Sequence, residues 1–276
     1  AKADYLLAIG TRLDDRITGN VEEFAPRAEI AHVDIDPAEM GKIVQPDYTV
    51  VGDAGEALSY LSKLVEGKER TRKDWWTQIR NWFDEYSLGQ KGEGSVLKPQ
   101  EVVRTLSELT DNEETIVTTG VGQHQMWTAQ HYEFTYPNQL ITSGGLGTMG
   151  FGFPAAIGAQ IAAPDRPVVT VTGDGSFQMN IQELTTALRE ELPITVVVLR
   201  NGSLGMVRQW QQLFFDNRLV ETLIDDGTPS LAKVTEAYGG KGITVAEEGN
   251  LRSSLREALG YEKGPSVVEC LVAQEE

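Results

Sequence analysis

Two short segments hold the residue types from which a divalent-cation and phosphate site is built. One is Gly173-Asp174-Gly175-Ser176; the other opens at Asn201-Gly202-Ser203, with 25 residues between Gly175 and Asn201. Asp supplies a hard anionic oxygen and Asn a neutral side-chain carbonyl. Mg²⁺ takes such ligands, and a diphosphate can supply more of its six oxygens. Taken singly, Asp and Asn are ordinary turn residues; they become a site if both turns lie at one sheet edge. Two more glycine-rich turns invite an anion. Gly120-Val121-Gly122-Gln123-His124 opens a helix, so backbone N–H groups and the Gln123 and His124 side chains can face a phosphate. His124 by itself reads equally well as a packing histidine. Gly145, Gly147 and Gly150 form G-x-G-x-x-G between a strand and a helix, the dinucleotide fingerprint, with Asp174 near the end of the next strand. A nicotinamide dehydrogenase is therefore a rival reading. Against it, a ribose-binding acid needs no glycine on both sides, whereas Asp174 has one on each.

The elements that must position these turns follow from hydrophobic pattern. Strands read at TIVTT, QLITS, PVVTVTG, ITVVVLR, GITV and PSVVECLVA, with helices near 99–110, 123–131, 152–163, 178–190, 206–214, 229–238 and 250–260. This alternation predicts an α/β fold over 99–276: a doubly wound, mostly parallel six-stranded sheet, with ligands at the carboxyl ends of its strands. Upstream, DYLLAIG, EIAHVDID and DYTVVGD read as three strands followed by a helix. Residues 1–65 are thus expected to be part of a Rossmann-like domain, an open half-sheet whose front is absent. Residues 66–98 read as a helical linker. Trp75, Ile79, Trp82, Phe83 and Tyr86 make one stripe expected to pack, and GQKGEGS is a flexible tether.

Composition narrows the classes. The 276 residues carry 41 Asp+Glu against 24 Lys+Arg, a formal net charge of −17, which argues against nucleic acid or an anionic membrane as main partner. Hydrophobic residues make up 40%, enough for a core. No run of about 18 apolar residues is present to span a membrane, and the first residues do not read as a secretory signal. The single Cys270 excludes an intrachain disulfide and a cysteine zinc cluster, and its apolar setting reads as core.

Taken together, GDG, a spacer in the mid-twenties and Asn resemble the thiamine-diphosphate motif. The segments VGQHQMW, ITSGGLGTMGFG, GDGSFQMN, QELTTA and GMVRQWQ resemble the catalytic large subunit of acetolactate synthase (acetohydroxyacid synthase). AIGTRLDDRITGN and HVDIDP resemble the end of that family's central, FAD-binding domain. The resemblance accounts for SGGLGTMG and displaces the dehydrogenase. It implies a thiamine-diphosphate-binding fold and an enzyme that decarboxylates pyruvate and transfers the two-carbon unit to a second 2-keto acid. The product is 2-acetolactate or 2-aceto-2-hydroxybutyrate, on the way to branched-chain amino acids. Another thiamine-diphosphate decarboxylase, oxidase or carboligase, or a non-catalytic cofactor-binding fragment, is the alternative.

The resemblance also implies roles. Asp174, Asn201 and the backbone oxygen of Ser203 hold Mg²⁺. Gln123, His124, Gly175 and Ser176 meet the diphosphate, Gly147 offers its carbonyl to the aminopyrimidine, Met149 supports the bent cofactor, and Gly173 and Met206 belong to the cofactor site. Arg16 is expected to meet the second substrate's carboxylate, a task suited to guanidinium, and Trp210 to shape the acceptor pocket. FAD is structural in this family, and Asp34, Ile35 and Asp53 are expected at its adenosine half. Members are about twice as long, so the chain is expected to be a C-terminal portion of a catalytic subunit without the domain that carries the activating glutamate, and inactive alone. The resemblance further implies a homo-oligomer, allows a small regulatory subunit, and places the protein in a prokaryotic cytoplasm or, in a eukaryote, a plastid or mitochondrion.

Overall fold

Residues 2–68, 70–86, 96–110 and 114–274 are described by the computed structural model, and the chain divides into two units, Ala1–Ser87 and Leu88–Glu276. The tether expected at residues 89–95 lies outside the described residues. The first unit contains β1 (Tyr5–Ile9), α1 (Asp15–Thr18), β2 (Glu29–Asp34), β3 (Tyr48–Val51), α2 (Ala54–Val65) and α3 (Lys73–Glu85). Its sheet is parallel in the order β1-β2-β3, with Ile9 opposite Val33 and Asp34 opposite Val51, so the three strand tips share one edge. Central β2 buries Ile30, Ala31 and Val33, whereas edge strand β3 is exposed throughout.

The aromatic stripe of α3 forms but does not pack as expected. Trp75 and Trp82 meet edge to face at 5.7 Å, yet no residue of α3 is buried and Phe83 is 73% exposed. Helical spacing aligned these side chains on one face; it does not by itself supply a surface to cover them.

In the second unit, α4 (Pro99–Leu109) leads into β4 (Ile116–Thr119), α5 (Gln123–His131), β5 (Leu140–Thr142), α6 (Gly152–Ala162), β6 (Val168–Gly173), α7 (Asp174–Gln178) and α8 (Leu184–Arg189). Then come β7 (Thr195–Arg200), α9 (Gly205–Phe214), α10 (Leu231–Tyr238), β8 (Lys241–Val245), α11 (Glu248–Leu259) and β9 (Ser266–Leu271). All six strands of this sheet are parallel, in the order β5-β4-β6-β7-β9-β8.

Alternation within the strands builds two cores. Val169 and Val171 of β6, with Val197 and Leu199 of β7, join Val102, Leu106, Trp127 and Leu251 on one face. Val168, Val196 and Val198 join Phe153, Leu184 and Leu231 on the other. Side chains two residues apart share a face, so a fully buried strand needs apolar residues at nearly every position. The runs VVTVTG and TVVVLR meet that demand.

The strand order places the site. From β4 the chain goes out to β5 and returns on the other side to β6, so the loops after β4 and β6 diverge to opposite faces. Such a reversal opens a crevice at the carboxyl edge of the sheet. One expected helix is corrected. Residues 178–190 are not continuous: α7 ends at Gln178, a 3-10 turn covers Ile181–Glu183, and α8 begins at Leu184. Asn180 leaves helical geometry (φ −133°), and its Nδ2 donates to the Gly150 carbonyl at 2.9 Å. A side chain held by the SGGLGTMG turn interrupts the period.

Candidate functional site

A cavity of about 190 Å³ opens at the carboxyl ends of β4, β6 and β7. Gln123, His124, Gly147, Met149, Gly173, Asp174, Gly175, Ser176, Asn201, Ser203 and Met206 all line it. Four turns far apart in sequence, those after β4, β5, β6 and β7, therefore converge because their strands are neighbours in the sheet.

Asp174 is 2% exposed. Its Oδ1 accepts the Gly175 N–H at 2.9 Å and its Oδ2 accepts the Gly202 N–H at 2.8 Å. The second bond ties the tip of β6 to that of β7 and brings the two halves of the expected cation site to one edge. Burial raises the Asp174 pKa above its ordinary value; the two N–H donors and the more distant Arg200 charge act the other way without prevailing. Asn201 Oδ1 accepts the Ser203 N–H at 3.1 Å, and its Nδ2 donates to Gln123 Oε1 at 3.3 Å. A carbonyl oxygen has two lone pairs, so Asn201 Oδ1 keeps one for a ligand.

His124 stands at the start of α5 and is buried. Burial pushes its pKa down to about 4, with the Gly120 backbone acting weakly in the opposite sense, so the ring is neutral at pH 7. A Cβ on Gly120 would stand 2.8 Å from His124 Nε2 and overlap Ser176 Oγ, so only glycine fits between these side chains. The Ser176 hydroxyl also accepts the Gly150 N–H at 2.9 Å, fixing the SGGLGTMG turn against α7.

Two polar atoms here are buried without a hydrogen-bond partner: His124 Nε2 and Ser203 Oγ. Asp174 makes no ion pair among the described residues. A buried carboxylate and two orphaned polar atoms near helix N-termini fit a cation and a polar ligand together. Among the described residues no three His, Cys, Asp or Glu side chains cluster as a metal site. A cation at Asp174 must then draw on Asn201, backbone oxygens and the ligand itself. Such an all-oxygen set suits Mg²⁺ rather than a softer metal.

The family profile described as "Thiamine pyrophosphate enzyme, C-terminal TPP binding domain" matches residues 120–270, from the first glycine of the β4 turn to β9. This chain belongs to the thiamine pyrophosphate enzymes. A second profile of that family, for its central domain, matches residues 1–61. The chain is 42% identical over 280 residues to the acetolactate synthase large subunit of Porphyra purpurea, covering 100% of this chain and 47% of that protein. It is 44% identical over 262 residues to the acetolactate synthase isozyme 3 large subunit of Escherichia coli, covering 93% and 45%. To the mitochondrial acetolactate synthase catalytic subunit of Saccharomyces cerevisiae it is 42% identical over 281 residues, covering 97% and 40%. The chain thus spans about half the length of the curated relatives it matches.

Other expected site residues of this thiamine pyrophosphate enzyme are not among those that line the cavity. Trp210 is 50% exposed on α9, edge to face with Phe214 at 5.8 Å. Arg16 belongs to the first unit, where its guanidinium pairs with neighbouring Asp15 at 3.2 Å. Asp34 ends β2 and accepts the Asp36 N–H at 2.9 Å, Ile35 is exposed beside it, and Asp53 caps α2 through the Glu56 N–H at 3.0 Å.

Sequence reasoning missed Trp127, Leu199, Leu204, Gly205 and Val207 on the cavity wall. Gly205 carried a signal: a side chain there would collide with Gln123 and stand 2.7 Å from Asn201 Nδ2. The apolar wall residues carried none beyond hydrophobicity.

Proposed function

We propose that this chain holds the diphosphate and metal end of thiamine diphosphate in an acetolactate synthase, the activity named for the relatives it is similar to. The observation that carries this reading is the buried Asp174 carboxylate, joined through Gly202 N–H to the Asn201 loop inside a cavity with two orphaned polar atoms. In this reading Asp174, Asn201 Oδ1 and the Ser203 carbonyl hold Mg²⁺, whose charge offsets the carboxylate and the diphosphate together. Gln123, neutral His124, Ser176 and the backbone at Gly173 and Gly175 hold the phosphates. A neutral imidazole donates one N–H without adding a charge. The Gly147 carbonyl accepts from the aminopyrimidine, and Met149 and Met206 form the apolar wall that orients the rings.

The chemistry supplied by bound thiamine diphosphate is decarboxylation of pyruvate and passage of the two-carbon unit to a second 2-keto acid. Arg16 is assigned to that acid's carboxylate and Trp210 to the shape of its pocket. FAD is assigned, through its adenosine half, to Asp34, Ile35 and Asp53, where parallel register aligns the tips of β2 and β3. The whole enzyme works as a homo-oligomer.

Calorimetric titration of thiamine diphosphate into the chain, with Mg²⁺ and then with EDTA, tests the central assignment. Binding that needs Mg²⁺ is expected. Equal binding in EDTA, or no binding in Mg²⁺, refutes it.

A further inference from the structure

Arg200 is the last residue of β7 and immediately precedes Asn201. Its guanidinium makes four bonds. Nη1 donates to Glu269 Oε1 at 2.7 Å and to the Pro229 carbonyl at 3.2 Å; Nη2 donates to Asp225 Oδ1 at 3.0 Å and to the Thr228 carbonyl at 3.1 Å. Three of these acceptors lie in one segment, residues 222–229, and the fourth is on β9. Glu269 is the anchor. It is buried, and besides Arg200 it accepts from the Leu231 N–H at 3.0 Å and from the Ser230 hydroxyl at 2.8 Å.

Segment 222–229 backs the cofactor site. Leu204 N–H donates to the Thr222 carbonyl at 2.8 Å, Ile224 N–H donates to the Gly202 carbonyl at 3.0 Å, and Ser203 pairs with Leu223 in an antiparallel bridge. Gly202 has φ +66°, and a Cβ there would stand 2.9 Å from Asp225 Cβ, so loop and segment meet with no room for a side chain. The same segment touches the Asp174 turn. Gln178 Nε2 donates to the Asp174 carbonyl and to the Thr228 hydroxyl, both at 3.3 Å.

We propose that Arg200, anchored by Glu269, is a positioning residue that clamps segment 222–229 behind the Asn201–Ser203 loop and the Asp174 turn, keeping the two halves of the cation site in register. Its functional meaning rests on the thiamine diphosphate reading above; the clamp is a property of the chain without ligand. Arginine suits the task because one planar fork reaches several acceptors at fixed angles. Lysine would keep a positive charge beside Glu269 but offers a single point of attachment.

The test compares Arg200→Lys and Asp225→Asn with the wild-type chain by hydrogen–deuterium exchange, then by titration with Mg²⁺ and thiamine diphosphate. Arg200→Lys is expected to speed exchange in residues 200–206 and 222–229 by about tenfold, with β4 and β6 unchanged. Asp225→Asn is expected to do so by a smaller factor, because its pair with Arg200 is partly exposed, and Asp225→Glu to restore protection. The cofactor Kd should rise about fivefold in Arg200→Lys with little change in melting temperature, a split that loss of general stability does not produce. Unchanged exchange in the two segments, or faster exchange spread evenly over the sheet, overturns the clamp. A wild-type chain that takes up no thiamine diphosphate overturns the proposed function instead, and the exchange pattern tells the two failures apart.

Discussion

Replacing Asp174 by Asn separates two effects that a cation site couples. Without a cation, the wild-type carboxylate is a burden: burial raises its pKa, so ionisation is disfavoured in the folded chain. The sign follows. Stability associated with this group is present below the ordinary carboxylate range and is lost as pH rises through the raised folded value. At pH 7 the ligand-free wild type bears that cost and Asp174→Asn does not. The variant keeps one carbonyl oxygen for either the Gly175 or the Gly202 N–H and leaves the other unpaired, a loss of about 1–3 kcal/mol. The two changes oppose each other, so the ligand-free variant should shift in melting temperature by less than the lost hydrogen bond alone would cause. With Mg²⁺ and thiamine diphosphate at a hundredfold Kd, binding stabilises the wild type by about 2.7 kcal/mol. For a unit the size of Leu88–Glu276 that is a rise of about 5–11 °C in melting temperature. Scanning calorimetry with and without both ligands measures it. The rise should be present in wild type, absent in EDTA and absent in Asp174→Asn. A variant that still gains the full metal-dependent shift would place the cation elsewhere and refute the argument.

Three further expectations concern buried titratable groups. His124, held at about pKa 4 by burial, should stabilise the fold above its unfolded value near 6.5 and lose about 3 kcal/mol as pH falls from there to 4; urea unfolding of His124→Gln across this range should show a flatter acid limb, and an unchanged limb would contradict the assignment. Glu269 is 1% exposed, and although burial alone would raise its pKa, the Arg200 bond, the Leu231 and Ala232 N–H groups and Ser230 outweigh it and leave the value lowered. Its stabilisation is therefore present above the ordinary glutamate range and lost as pH falls through the lowered folded value; Glu269→Gln should cost about 2 kcal/mol at pH 7, with the difference shrinking in acid, whereas parallel pH curves would count against the ion pair. The buried Cys270 thiol, pushed up to about 12, should resist an aromatic disulfide reagent in the native chain and react after denaturation; stoichiometric native labelling would show that β9 opens readily.

How far the sequence reached depended on whether a feature was local. The runs IVTT, VVTVTG, TVVVLR and SVVECL announced strands because a buried parallel strand needs apolar or β-branched residues on both faces, and that demand is met within six residues. The turns were equally legible. Gly173-Asp174-Gly175, Asn201 and the SGGLGTMG segment carry their conformational and ligand chemistry in their own residues. The break at Asn180 was invisible because its cause, the Gly150 carbonyl, lies 30 positions away. Exposure of the α3 stripe was invisible for a related reason: spacing aligns a face and says nothing of what meets it.

The residues of a candidate cation and diphosphate site, the α/β alternation and the resemblance to a family were legible in the sequence alone. Tertiary structure decided that Gly202 N–H holds Asp174 across 28 positions, that Glu269 anchors Arg200 across 69, and that Trp210 stands outside the cavity lining. The first two depend on strand order, with β7 lying between β6 and β9. Periodicity encodes which face of a strand is buried, but which strand lies beside which is set by the packing of helices on both faces of the whole sheet.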